Sequence, residues 1–204
     1  MHTFVHVTKT GGTAVEQYFK AHHPRQVKGV GHLHRCGNSS NPIVIIRDPM
    51  ERFVSMFEYW RNGATDGKYQ RKAEWVSVNT ISDFVRKLRG KDRSFERNFL
   101  HRDFTTNLHF CEQAYWLKPA DYAKTTVLVY DRDRMDEKLR ALLTHLGLPH
   151  RGLPLPRVNV TKTDSRVDTS MTDDDRAWVR ERFRCDFELW HMVTRHPGRF
   201  KVVF

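Results

Sequence analysis

Two periods of apolar and polar positions alternate along this chain, and together they lay out a sheet and its helices. Phe4, Val5 and Val7 form a short β-branched and aromatic run that stops at Lys9-Thr10-Gly11-Gly12-Thr13, and the amphipathic stretch Ala14 to Lys20 follows. That order reads as strand, turn, helix. Val27 to Val30 suit a second strand, and Ile43 to Ile46 form the continuous apolar run of a strand buried on both faces of a parallel sheet. Pro49 opens a helix whose Phe53, Met56, Phe57 and Trp60 recur at helical spacing and should face the core, with Arg52 and Ser55 on other faces. Thr80 to Leu88 reads as a helix capped by Thr80 or Ser82, Thr125 to Tyr130 as a strand, and Arg134 to Leu146 as a helix closed by Gly147 and Pro149. Thr172 followed by Asp173, Asp174 and Asp175 is a capping pattern for a helix running to Val193, with Phe183, Phe187, Leu189 and Trp190 in the core. Residues 61–79 are polar and read as a loop, and the aromatics of 92–118 read mostly as core. Alternating strands and helices predict an α/β fold with a parallel sheet.

The first turn carries chemistry as well as geometry. Gly11 and Gly12 let the backbone bend with its N–H groups inward, the helix start adds a partial positive charge, Lys9 adds a full one, and Thr10 and Thr13 add hydroxyls. An anion suits that loop. The usual nucleoside-triphosphate loop places its lysine after the last glycine, whereas Lys9 precedes both glycines here. A tight strand-to-helix turn without a ligand is the plain alternative.

Arg47 and Asp48 supply a second feature, at the C-terminal end of the strand Ile43 to Ile46 and just before Pro49. Ligands of open α/β sheets sit outside the carboxyl ends of strands, so Arg47 is a second anion site, or else it braces the turn by pairing with Asp48. Two anion sites at two strand ends imply a ligand with phosphates at both extremities.

Taken together, Lys9-Thr10-Gly11-Gly12-Thr13 and the segment Ile46 to Ser55 resemble the paired cofactor signatures of sulfotransferases that use 3′-phosphoadenosine 5′-phosphosulfate (PAPS), and are most similar to the carbohydrate branch with its heparan sulfate 2-O, 6-O and chondroitin enzymes. The resemblance implies a P-loop-like three-layer fold, a central parallel sheet flanked by helices, built as one sulfotransferase domain over residues 1–204. It also implies that Lys9, Thr10, Gly11, Gly12 and Thr13 bind the 5′-phosphosulfate with Lys9 acting on the transferring group. Arg47 and Ser55 would hold the 3′-phosphate. The acceptor is a hydroxyl, on a glycan or another small molecule, and no metal is required. Arg157 to Ser165 is similar to the late loop that folds over the cofactor, making Asn159, Thr161 and Lys162 further contacts.

Sulfuryl transfer needs a base for the acceptor hydroxyl, and histidine is matched to neutral pH. His32 and His34 stand at the end of the second strand, and Gly31-His32 resembles the place where heparan sulfate enzymes keep their catalytic histidine. His32 is the expected base, with His34 its rival or an acceptor contact and His6 a more distant candidate.

Composition narrows little further. The 204 residues are enough for one domain with a substantial core, and Cys36, Cys111 and Cys185 lack metal-ligand spacing and read as thiols. No eighteen-residue apolar run or secretory pattern appears, so the expectation is either a cytoplasmic or otherwise soluble chain without a membrane partner, or a catalytic domain trimmed of an anchor; a nucleic-acid partner is not expected either. A formal net charge of +11 suits any polyanion. A nucleotide kinase with a phosphate loop accounts for the first loop but not for Arg47-Asp48-Pro49. A non-catalytic polyanion-binding module accounts for the charge alone.

Overall fold

The structure, a computed structural model, describes residues 1–32, 34–61, 78–90, 111–156 and 168–203. These fall into two compact units, the first made of Met1–Asp48, Glu112–Val158 and Cys185–Phe204, the second of Pro49–Cys111 and Asn159–Arg184.

The first unit is built on a five-stranded sheet, every pair of which is parallel, in the order β2-β1-β3-β4-β5. Its strands are β1 (His2–Val5), β2 (Val27–Val30), β3 (Pro42–Ile46), β4 (Thr126–Val129) and β5 (Lys201–Val203). All five residues of β3 are buried, as the continuous apolar run requires of a strand covered on both faces. On one face Phe4, Ile43, Ile45 and Leu128 join a cluster with Val15, Tyr18 and Phe19 of α1 (Gly12–His22) and Leu139, Leu142 and Leu143 of α4 (Met135–His145). Each such side chain contributes about 1.5–3 kcal/mol on burial, so the cluster fixes α1, and with it the loop before α1, against the sheet. The fold is of the α/β class with a central parallel sheet, as expected.

Strand order decides where a ligand goes. The chain leaves β1 toward β2 on one side and returns to β3 on the other, so β1 and β3 flank the point where the winding reverses. Crevices of parallel sheets open there, beyond the carboxyl ends of the strands. The loop after β1 and Arg47 after β3 both stand at that end, with Val5 in register with Val44.

The second unit contains α2 (Pro49–Arg61), α3 (Ile81–Arg89) and α5 (Asp173–Arg182). Phe84 packs on Phe53 and Phe57 at ring separations of 5.8 and 5.4 Å, and Phe183 lies 5.7 Å from Phe53. Thr80 and Thr172 close capping boxes with Asp83 and Asp175, so the expected cap of α3 is Thr80, while Ser82 instead donates to Asp175 Oδ2 at 2.6 Å. Arg52 departs from expectation. Its side chain is fully buried, with Nη2 donating to the Cys111 carbonyl at 2.8 Å, a pairing that lets a cation leave water.

Two further differences concern the C-terminal part. The single helix expected after Thr172 is interrupted at Phe183, where the backbone leaves the helical region (φ −110°, ψ 32°), and resumes as α6 (Arg184–Arg195). The two halves serve different cores: Phe183 buries in the second unit, whereas Leu189 and Val193 bury in the first. Phe187 and Trp190 are only half-buried. Strand β5 was not apparent in the sequence pattern, because three residues at a sheet edge carry no usable period. The three cysteines are unbridged, and burial pushes the Cys36 thiol up to about 12. Among the described residues no helix is long and apolar enough to cross a membrane.

Candidate active site

The loop after β1 is built from main-chain strain and two bare α-carbons. Lys9 has φ 62° and Gly11 φ 77°, both in the left-handed region, and Thr10 Oγ1 donates back to the Val7 carbonyl at 2.9 Å to hold the turn. A Cβ on Gly11 would lie 2.6 Å from Cε2 of Tyr130, and one on Gly12 2.8 Å from Nε2 of His6, so neither position admits a side chain. Helix α1 then starts with no side-chain cap and no acid in its first turn, in contrast to the capping boxes of α3 and α5. The partial positive charge of its N-terminus is therefore left for something outside the helix. This cradle fits a phosphate or sulfate group.

Arg47 is buried at the end of β3, its guanidinium 4.6 Å above the ring of Tyr130. Tyr130 follows β4 directly, and its N–H donates to the Ile46 carbonyl at 2.7 Å. One aromatic ring thus packs on Gly11 of the first loop and carries the arginine of the second motif. Tyr130 was not singled out from the sequence. The available signal was its place just past the end of the strand that neighbours β3.

Three side chains meet beside the loop. Nδ1 of His6 donates to Glu16 Oε2 at 2.6 Å, a bond that holds Glu16 below the usual carboxylate range. Glu16 reaches His6 by lying over Gly29 of β2, where a Cβ would stand 2.7 Å from Oε1. The His6 ring packs 4.2 Å from that of His32, and His32 Nδ1 lies 2.8 Å from the His6 carbonyl. A carbonyl only accepts, so Nδ1 carries the proton and Nε2 is the basic nitrogen of His32. Burial first, and neighbouring His6 second, holds the pKa of His32 below the ordinary histidine value. His34 is engaged elsewhere, with Nε2 3.0 Å from Ser39 Oγ.

The first unit thus brings together Lys9, Thr10, Gly11, Gly12, Thr13, His32 and Arg47 at one end of its sheet. Ser55 is a half-buried residue of α2 in the second unit. Asn159, Thr161 and Lys162 lie outside the described residues.

Burial of histidines also has a consequence for stability. His23 is 1% exposed, its Nε2 has no hydrogen-bond partner among the described residues, and burial lowers its pKa, as burial lowers that of His32. A histidine held below its ordinary value binds its proton in the unfolded chain first. The contribution of these groups to stability is therefore fully present above the ordinary value of 6.5 and is lost as pH falls through it toward the folded-state pKa. Thermal unfolding followed from about pH 7.5 to about pH 5.5 should show a falling midpoint. His23→Phe, a ring beside Tyr18 and Phe19, should flatten that slope.

Comparison with curated proteins and with solved structures gives no significant match. The family model described as "Sulfotransferase family" matches residues 3–191, a span that runs from β1 through both glycines, Arg47 and most of α6. With nearly the whole chain covered, and with its glycine loop and Arg47 at the switch point of a parallel sheet, this protein belongs to the sulfotransferase family.

Proposed function

We propose that this chain transfers a sulfuryl group from PAPS to an acceptor hydroxyl on a carbohydrate, and that residues 1–204 act as one catalytic domain. The observation that carries the reading is the convergence of the uncapped, left-handed loop at Lys9–Gly12 and the buried Arg47 on one tyrosine ring at the sheet's switch point. When bound, PAPS supplies a sulfuryl group on an activated anhydride, and adenosine 3′,5′-bisphosphate is the product that leaves.

The chain's own residues then divide the work. His32 Nε2 would take the proton of the acceptor hydroxyl. Lys9, Thr10, Thr13 and the loop N–H groups hold the 5′ end and stabilise the charge that gathers on its oxygens. Arg47 would hold the 3′-phosphate, and the likeness of the motifs to those of the family assigns Ser55 to the same phosphate and Asn159, Thr161 and Lys162 to further donor contacts. Positioning and electrostatics supply most of the rate, as in phosphoryl transfer. The carbohydrate acceptor rests on the likeness of the two motifs to the heparan sulfate and chondroitin enzymes.

Isothermal calorimetry separates this reading from a nucleotide enzyme. Adenosine 3′,5′-bisphosphate should bind without Mg²⁺, and Arg47→Ala should weaken it at least tenfold, about 1.4 kcal/mol. Tight Mg²⁺-dependent ATP binding with no bisphosphate binding would overturn the proposal. A screen of glycan, peptide and small-alcohol acceptors with labelled PAPS then decides the acceptor class.

A further inference from the structure

Beyond Ile46 the β3 ladder ends, yet the Arg47 main chain is buried and must still find partners. It finds them in one side chain. The Arg47 N–H donates to Gln113 Oε1 at 2.8 Å, and Gln113 Nε2 donates to the Arg47 carbonyl at 2.9 Å. A carboxamide offers donor and acceptor on one planar group, so Gln113, itself 1% exposed, imitates one more rung of a neighbouring strand.

The same turn reaches the base. Trp116, fully buried, donates its indole N–H to the His32 carbonyl at 2.7 Å and accepts at its own carbonyl from the Cys36 N–H at 2.9 Å. Tyr115 between them lies under the Arg35 guanidinium at 3.9 Å. The turn is in turn anchored by Ala114 N–H, which donates to the buried Asp186 carboxylate at 3.0 Å.

From these contacts we propose that the turn Gln113–Trp116 is the positioning element of the donor site, with Gln113 setting Arg47 and Trp116 setting His32. The proposal rests on the sulfotransferase roles given above for those two residues. The turn's bonds to Arg47 and His32 fall on main-chain atoms of those two residues, so altering Gln113 or Trp116 moves these groups without changing their chemistry. The two ends should therefore respond separately.

The test compares Gln113→Met and Trp116→Phe with the unaltered protein by bisphosphate calorimetry, steady-state kinetics, thermal unfolding and NMR of ¹⁵N-labelled histidine rings. Gln113→Met should raise the bisphosphate Kd about tenfold or more and leave the His32 resonances in place. Trp116→Phe should shift the His32 resonances and lower kcat about tenfold, with the bisphosphate Kd within about twofold. Where Gln113→Met does not fold, Gln113→Glu keeps the side-chain length, replaces the amide donor that meets the Arg47 carbonyl with an acceptor oxygen and adds a negative charge, and should raise the bisphosphate Kd in the same way. Where Trp116→Phe does not fold, benzothienylalanine at 116 replaces only the indole N–H. Folded variants that change Kd and kcat in equal proportion, or change neither, overturn the proposal. Absence of bisphosphate binding by the unaltered protein overturns the donor reading instead, and with it the role of Gln113. The His32 resonances still decide the role of Trp116 in that case.

Discussion

His32→Ala is expected to lower kcat by about 10²–10⁴-fold, the range over which a positioned general base acts, while the bisphosphate Kd changes little. The expectation follows from which nitrogen is basic. The His6 carbonyl 2.8 Å from Nδ1 fixes the tautomer, and the ring of His6 at 4.2 Å fixes the plane, so Nε2 is presented in one orientation. Burial lowers the His32 pKa, which populates the neutral, proton-accepting form at neutral pH. The sign is definite: kcat should fall on the acid side as His32 gains a proton, and the limb should lie below the ordinary histidine value of 6.5. His32→Ala should remove that limb along with the rate. His32→Asn should lose as much activity with less disturbance, since its amide can still donate to the His6 carbonyl. Should His34→Ala prove as damaging as His32→Ala is expected to be, while His32→Ala keeps near-normal turnover, the base is misassigned.

Much of the scaffold was legible because it rests on local periods. The β3 run is continuous and apolar because both of its faces are buried, and Thr80 and Thr172 announce helix starts through side chains that bond only a few residues away. The loop and Arg47 were legible for a related reason, since glycines and a charged residue at strand ends are local anomalies. What stayed hidden depends on partners far along the chain. Gln113 contacts Arg47 across sixty-six positions and Trp116 contacts His32 across eighty-four, and no spacing rule connects such pairs. Glu16 meets His6 ten positions away because Gly29, on another strand, leaves it room. Arg52 sits in a helix whose period placed it away from the core, yet a main-chain carbonyl makes its burial tolerable. Phe183 and Leu189 fit one amphipathic pattern although they bury in different units, which is why the break between α5 and α6 left no trace.

Lys9→Gly should separate what the lysine does from where it sits. At φ 62° Lys9 holds a left-handed conformation that brings Cβ against its own carbonyl, at a cost of about 1–2 kcal/mol. Strain of that kind persists where the surrounding structure imposes it, and here Gly11 against Tyr130 and Thr10 bonded to Val7 fix the residues that follow. Lys9→Ala removes the ammonium group and keeps the strain, whereas Lys9→Gly removes both. Each should lower kcat by about 10²–10³-fold, the loss seen when one preorganised charge-stabilising group is deleted, with a smaller effect on bisphosphate affinity. The two should differ in stability, with the glycine variant more stable than the alanine variant by about 1 kcal/mol, read as a higher thermal midpoint. Equal midpoints would mean that the loop relaxes once the lysine is gone, so that its left-handed turn depends on the side chain. A raised KM for PAPS with kcat intact in both variants would mean that Lys9 binds the donor equally in ground and transition states. In that event charge stabilisation during transfer would fall to the loop N–H groups and the start of α1.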